Sequence, residues 1–207
     1  PTCTPNNNNC YVSTIGNKCA FTNCSGNSCT FECYADIYFH AESTDTNGDT
    51  WLAYLEVSDA SGGYDMATPP AGVELYTVRA LSVDSGINYG SLAPQDNTGS
   101  YNPTTTIANT GNVAFDIEVE GTDLSDGGSS IIPANQQKFA TSTFTYAGCA
   151  VCSLLSSSTP VSLDVNLSKP TAPSPAVTTN IFWGIAVPFG VNSAPHSGIN
   201  VFTPISP

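Results

Sequence analysis

Positive charge is what this 207-residue chain has least of: Lys18, Arg79, Lys138 and Lys169 stand against 17 Asp and Glu, for a formal net charge of -13. Nucleic-acid affinity rests on clustered Lys and Arg, so a nucleic-acid partner is excluded as a class. Anionic membrane surfaces are disfavoured for the same reason. Long hydrophobic runs are missing too, and without about 18 consecutive apolar residues no segment is expected to insert directly into a membrane. Histidine is scarce, with only His40 and His196. No GxSxG elbow accompanies them, so a Ser-His-Asp hydrolase is not signalled, and each His is expected to be an exposed strand or loop residue. Charged residues make up 10% of the chain and hydrophobic residues 40%. A core can therefore be buried, and Ser, Thr, Asn and Gln must supply most of the polar surface, as in extracellular β-proteins.

Eight cysteines are present, at Cys3, Cys10, Cys19, Cys24, Cys29, Cys33, Cys149 and Cys152. Their even number points to disulfides formed outside the cytosol. Zinc is the competing reading, but the six N-terminal cysteines contain no CxxC pair and Cys149-Ala-Val-Cys152 stands alone, so disulfides are preferred. Cys149 is expected to pair with Cys152 across a tight turn and the other six among themselves. A chain opening on Pro1-Thr2-Cys3 reads as a mature product whose export signal has been removed, and an extracellular, cell-surface location is expected.

The regular part of the chain alternates with a period of two. In Thr104 to Gly121, Val113, Phe115, Ile117 and Val119 share one face while Asp116, Glu118 and Glu120 share the other, the pattern of a half-buried strand. The preceding Thr104 to Ala108 is expected to pair with it as a hairpin across Asn109-Thr110-Gly111-Asn112. Phe31 to Glu42 and the run carrying Trp51, Ala53, Leu55 and Val57 form a second expected pair, with Trp51 in a core. Further strands are predicted at Val73 to Val83, Ile87 to Ala93, Lys138 to Ala147, Val161 to Ser168, Val177 to Val187 and Ile199 to Ile205. Short strands at regular spacing, with Gly, Pro and Asn turns and no helical period, predict an all-β antiparallel sandwich with a disulfide-rich N-terminal segment. Gly62-Gly63 and Pro69-Pro70 place a boundary between a β segment over 1–69 and a β-domain over 70–207, unless one continuous domain runs from residue 31.

The segments NYGSL (Asn88 to Leu92), TIANTGN (Thr106 to Asn112), Gly121 to Leu124, Lys169-Pro170-Thr171 and NIFWGIAVPFG (Asn180 to Gly190) resemble a recurring Ig-like domain of secreted surface proteins from uncultivated bacteria and archaea. AESTD (Ala41 to Asp45) and WLAYLEVSDASG (Trp51 to Gly62) resemble the stretch that precedes that domain. The resemblance covers about residues 31 to 205 and implies an Ig-like β-sandwich. More distantly, the NTGN segment is similar to one in camelysin-like biofilm-fibre proteins, whose subunits polymerise. The six-cysteine N-terminus departs from both patterns.

Few residues offer chemistry. Asp45, Asn47, Asp49 and Glu56 have the 1, 3, 5, 12 spacing of a calcium loop. Thr50 replaces the usual Gly, however, and residues 51 to 57 read as strand, so a polar turn around Asn47-Gly48 is preferred and calcium is kept as the one cofactor to test. Asp84-Ser85-Gly86 matches one half of an aspartic-protease pair; the second half is absent, because Asn109-Thr110-Gly111 carries an amide. Asn23 and Asn166 lie in N-x-[ST] sequons, with Asn166 facing outward if Leu163, Val165 and Leu167 face inward. Tyr34, Tyr38 and Tyr54 are candidates for a sugar-stacking platform or for ordinary cross-strand pairs. The expected function is a non-enzymatic subunit of an extracellular filament or surface layer, joined to copies of itself by β-strand addition. The inserting segment is expected within residues 1 to 30, or failing that at Ile199 to Ile205. The alternatives are a monomeric adhesin or carbohydrate-binding module acting on surface glycans and, more remotely, a secreted aspartic-type hydrolase.

Overall fold

The computed structural model describes residues 4–26, 28–45, 48–84 and 86–207. The chain is all-β, with several sheets and, among the described residues, one 3-10 turn at Ala134–Gln136. It divides into two compact units. The first comprises Pro1–Val78 with Gly111–Val113 and Pro170–Pro175; the second comprises Arg79–Thr110, Ala114–Lys169 and Ala176–Pro207.

In the first unit β1 (Thr14–Ile15), β2 (Lys18–Ser25) and β3 (Ser28–Cys33) form one sheet, with β2 and β3 antiparallel. Cys19 stands opposite Cys33 and Cys24 opposite Cys29, each pair with Cα atoms 4.1 Å apart and joined as a disulfide. Such a close approach is that of non-hydrogen-bonded antiparallel partners. The two pairs are out of step by one residue, and the register shift between Phe21 and Asn23 absorbs the difference. Cys10 is disulfide-bonded as well, and Cys3 lies outside the described residues. β4 (Leu55–Ser58) and β5 (Tyr64–Ala67) make a separate hairpin. Asp59 closes its turn by accepting the backbone N–H groups of Ser61 and Gly63, while Gly62 takes φ +84°. Gly62-Gly63 thus lies in a hairpin turn.

The long strand expected over Phe31 to Glu42 ends at Cys33, and its pairing with the Trp51 run does not form. Local closure explains both outcomes: the cystines hold β3 on β2, and the Asp59 turn gives β4 a partner a few residues away, so neither strand bears the loop-closure cost of a longer connection. Trp51 is half-buried, bridges to Val73 and donates its indole N–H to the Glu42 carbonyl. Across the expected Val73 to Val83 strand only Leu81–Val83 enters a ladder. Upstream, side chains take the backbone: Leu75 N–H donates to Thr44, Thr77 N–H to Asp45 and Val78 N–H to Asn112.

The second unit holds β6 (Leu81–Val83), β7 (Thr104–Asn109), β8 (Phe115–Gly121), β9 (Leu124–Ser125), β10 (Ile131–Ile132), β11 (Gln137–Ala140), β12 (Ser153–Leu154), β13 (Val161–Leu167), β14 (Thr178–Ile185) and β15 (Asn200–Ile205). A five-stranded sheet runs β12-β11-β14-β7-β6, a three-stranded sheet runs β13-β8-β15, and β9 pairs with β10; all neighbours are antiparallel. One apolar cluster takes Ile107, Phe139, Ile181 and Trp183 from the first sheet and Phe115, Ile117 and Val119 from the second. Trp183 has no exposed surface and lies 5.3 Å from the Phe139 ring and 6.0 Å from that of Phe202.

The expected hairpin between Thr104 to Ala108 and Val113 to Val119 is therefore corrected: both strands exist, but β7 pairs with β14 and β6, and β8 with β13 and β15. Asn109, Gly111 and Asn112 do not take the positive φ of a tight hairpin turn. Instead Asn112 holds the backbone of Tyr76 and Val78, and Asn109 donates to the Ser168 carbonyl. Asp116, expected on the wet face, is buried and accepts the N–H of Asn166, where β13 shifts register. No ladder forms over Ile87 to Ala93, and the Lys138 to Ala147 strand stops at Ala140. These placements predict that Trp183→Ala lowers unfolding free energy by about 3–5 kcal/mol, as for other fully buried aromatics. Trp51→Ala should stay within about 1–2 kcal/mol, the ordinary range for point changes. Denaturant unfolding monitored by circular dichroism checks both values.

Candidate functional site

A cleft of about 1190 Å³ opens in the second unit, lined by residues 83–84, 86–94 and 191–202 and by strand residues beneath them. One wall is the edge of β15. Thr122 N–H donates to Ile199 O at 2.9 Å, which sets the phase of the antiparallel ladder. Bonds to β8 then fall at Val201, Thr203 and Ile205, so the backbone groups of Asn200, Phe202 and Pro204 point away from it. Pro204, with no N–H to offer, occupies an outward-pointing position that an edge strand tolerates. The opposite wall is β6. Thr110 N–H to Ala80 O and Asp84 N–H to Thr106 O fix its phase and leave Leu81 and Val83 facing outward.

Between these edges runs the unladdered segment Ile87 to Leu92, anchored by Tyr89. The Tyr89 hydroxyl bonds to Gln137 Oε1 at 2.9 Å, and its ring packs against both apolar clusters of the unit. Burial pushes the Tyr89 phenol well above its ordinary pKa. Gln137 is 1% exposed, and its Nε2 has no hydrogen-bond partner; the hydroxyl of Thr105 is in the same position. Both residues line the cleft. Ile132, Ile185 and Val187 form its apolar floor, with Leu92, Leu124 and Val191 packed against them.

Two loops meet at one end. Asp126 accepts from Asn192 Nδ2, Gly128 N and Ser130 N, and these bonds, the Asn192 one foremost, hold its carboxyl below the usual range. His196 is half-buried in the same place, with Nδ1 2.8 Å from the Ala194 carbonyl and Nε2 2.9 Å from Ser130 Oγ. The exposed loop histidine expected from sequence is thus a tethered one. His40 departs further from expectation: it is fully buried, against the rings of Tyr38 and Phe39.

Comparison with protein-family models, curated proteins and solved structures returned no significant match. The geometry of the chain itself therefore carries the reading.

Among the described residues no group of three His, Cys, Asp or Glu side chains could hold a metal ion. Of the calcium candidates, Asn47 lies outside the described residues, Asp45 accepts the N–H and hydroxyl of Thr77, Asp49 is exposed, and Glu56 stands in β4 opposite Met66. Asp84 accepts the N–H of Thr106, with Ser85 outside the described residues. Asn23 and Asn166 are both exposed, Asn166 at φ 46°. Cys149 and Cys152 are joined as a disulfide. Tyr34 and Tyr38 are exposed, but Tyr38 stacks on Tyr11 and the Tyr54 hydroxyl contacts Met66, so the three tyrosines share no ring contact. The contact of Ser130 with His196 was missed because their separation in sequence carries no motif.

A raised phenol pKa favours the folded state below the free tyrosine value of about 10 and loses that contribution as pH rises above it. Stability should therefore fall above about pH 10. Tyr89→Phe should make that alkaline limb shallower, leaving the part that comes from Tyr146, Tyr64 and Tyr34, whose phenols are raised as well. Urea midpoints measured from pH 7 to 11 would reveal it.

Proposed function

We propose that the chain is a structural subunit of an extracellular filament or surface layer, and that its second unit is an Ig-like β-sandwich that accepts a strand from a neighbouring copy. The observation that carries this reading is the cleft, where outward-pointing backbone groups of β15 and β6 flank an apolar floor. An extended segment entering there can pair with an edge while placing alternate side chains on that floor.

The donor segment has to be sought away from the two first expected. Thr14–Ile15, Lys18–Ser25 and Ser28–Cys33 are folded into a cystine-braced sheet, and the C-terminal run is already β15 in a ladder with β8. Tyr34 to Phe39 meets the requirement better. It lies outside any ladder, and its Ala35, Ile37 and Phe39 alternate, with the last two exposed at 51% and 46%. The disulfides suit a protein of the oxidising cell exterior, and exposed Asn23 and Asn166 suit glycosylation there.

Val83→Lys puts a charge on an edge position whose backbone faces away from β7, which should block strand addition without disturbing the fold. Sedimentation and electron microscopy of purified protein should show polymers that persist in high salt, and monomers for Val83→Lys and for Ile37→Asp/Phe39→Asp. A native protein that stays monomeric at high concentration would remove the proposal and favour a glycan-binding module.

A further inference from the structure

The contact between Ser130 and His196 has a direction that follows from elementary hydrogen-bond chemistry. His196 Nδ1 faces the Ala194 carbonyl oxygen at 2.8 Å, and a carbonyl can only accept. Nδ1 therefore carries the proton of the neutral ring, which leaves an acceptor lone pair on Nε2. Ser130 Oγ, 2.9 Å from Nε2, is then the donor. The same oxygen accepts the N–H of Asn192 at 3.1 Å, which fixes the hydroxyl between one donor and one acceptor. A hydroxyl donating to an imidazole whose other nitrogen is oriented by a fixed acceptor is the arrangement that activates a serine nucleophile. Here a backbone carbonyl takes the orienting position.

Two surrounding features extend it. Asp126, on the same loop as Ser130, is held in its charged form by three hydrogen bonds and interacts electrostatically with His196. His196 also lines the cleft, whose apolar floor begins at Ile132, two residues beyond Ser130.

We propose that Ser130 is an acylatable nucleophile with His196 as its general base, and that the adjoining cleft receives the aliphatic acyl chain of an activated ester. Ser130 Oγ bonds to the acyl carbon as its proton passes to His196 Nε2. The carbon–oxygen bond to the alcohol breaks, and the departing oxygen takes that proton. Water, deprotonated by the same nitrogen, then releases a carboxylic acid and restores the serine. General-base assistance of this kind contributes roughly 10²–10⁴-fold, which suits aryl esters and not peptides. This activity is independent of the polymer role and requires only the second unit's own residues.

The purified full chain is treated with an alkyl fluorophosphonate and, separately, with p-nitrophenyl butyrate, and adducts are located by peptide mass mapping. A single fluorophosphonate adduct at Ser130 is expected, absent in Ser130→Ala and formed about 10²–10⁴-fold more slowly in His196→Gln. Added imidazole should restore labelling of His196→Gly, a rescue that a histidine merely tying two loops together would not give. Absence of an adduct in the native protein, an adduct elsewhere, or equal labelling in His196→Gln overturns the proposal.

Discussion

The buried face of β8 is the constraint from which the rest of the second unit follows. Phe115, Ile117 and Val119 are fully buried, and each such side chain contributes about 1.5–3 kcal/mol relative to exposure. Ile107 of β7 belongs to the same cluster from the other sheet. Two strands whose side chains meet face to face across a core cannot also lie side by side in one ladder. The Asn109 to Ala114 connection must therefore carry the chain from one sheet to the other. With β13 on one side of β8 and β15 on the other, the smaller sheet ends at β15, and its outer edge becomes a wall of the cleft.

The first unit rests on a different physical basis. Its buried side chains are few and small or polar, among them Ala41, Ser43 and Thr44. Tyr34, Ile37, Phe39, Leu52, Val73 and Tyr76 stay exposed, so hydrophobic burial does little for it. Covalent closure of short loops takes over, as it does where an apolar core cannot be built. The β2–β3 hairpin shows the requirement most directly, because a one-residue bulge is needed for both cystine pairs to stand opposite each other.

Where the partner of a strand was irrelevant to its pattern, the sequence was readable. The alternation in β8, β13 and β14 marked real strands, and the inward set Leu163, Val165 and Leu167 is more buried than its neighbours. Oxidised cysteines and the Cys149–Cys152 link were legible from spacing. Pairing was not legible, because period-two alternation names a face and not a neighbour. Asn-Gly chemistry misled for a related reason: Asn109 and Asn112 act through their side-chain amides on distant backbone, and not through a left-handed conformation. Leu75 and Thr77 alternate like strand residues while their N–H groups go to Thr44 and Asp45. His40 illustrates the limit for a single residue: it is fully buried, although Phe39 beside it is exposed and nothing in the alternation separates the two.

An exposed sheet edge is ordinarily a hazard, and this chain limits it by position more than by bulk. Pro204 removes one donor from the outer row of β15, and β6 offers only the backbone of Leu81 and Val83. The net charge of -13 adds a repulsion between copies that salt screens within about 10 Å, so it opposes unselective encounter at low ionic strength while leaving short-range pairing nearly untouched. The loops bearing Ser130 and His196 stand at one end of the cleft, fastened by Ser125 and Ser197, which exchange backbone hydrogen bonds of 2.9 Å. An extended segment lying along β15 would therefore meet a fixed stop at that end. The same fastening holds the imidazole and hydroxyl at hydrogen-bond distance, so the rigidity that would set the register of an incoming strand is also what a nucleophile and its base require.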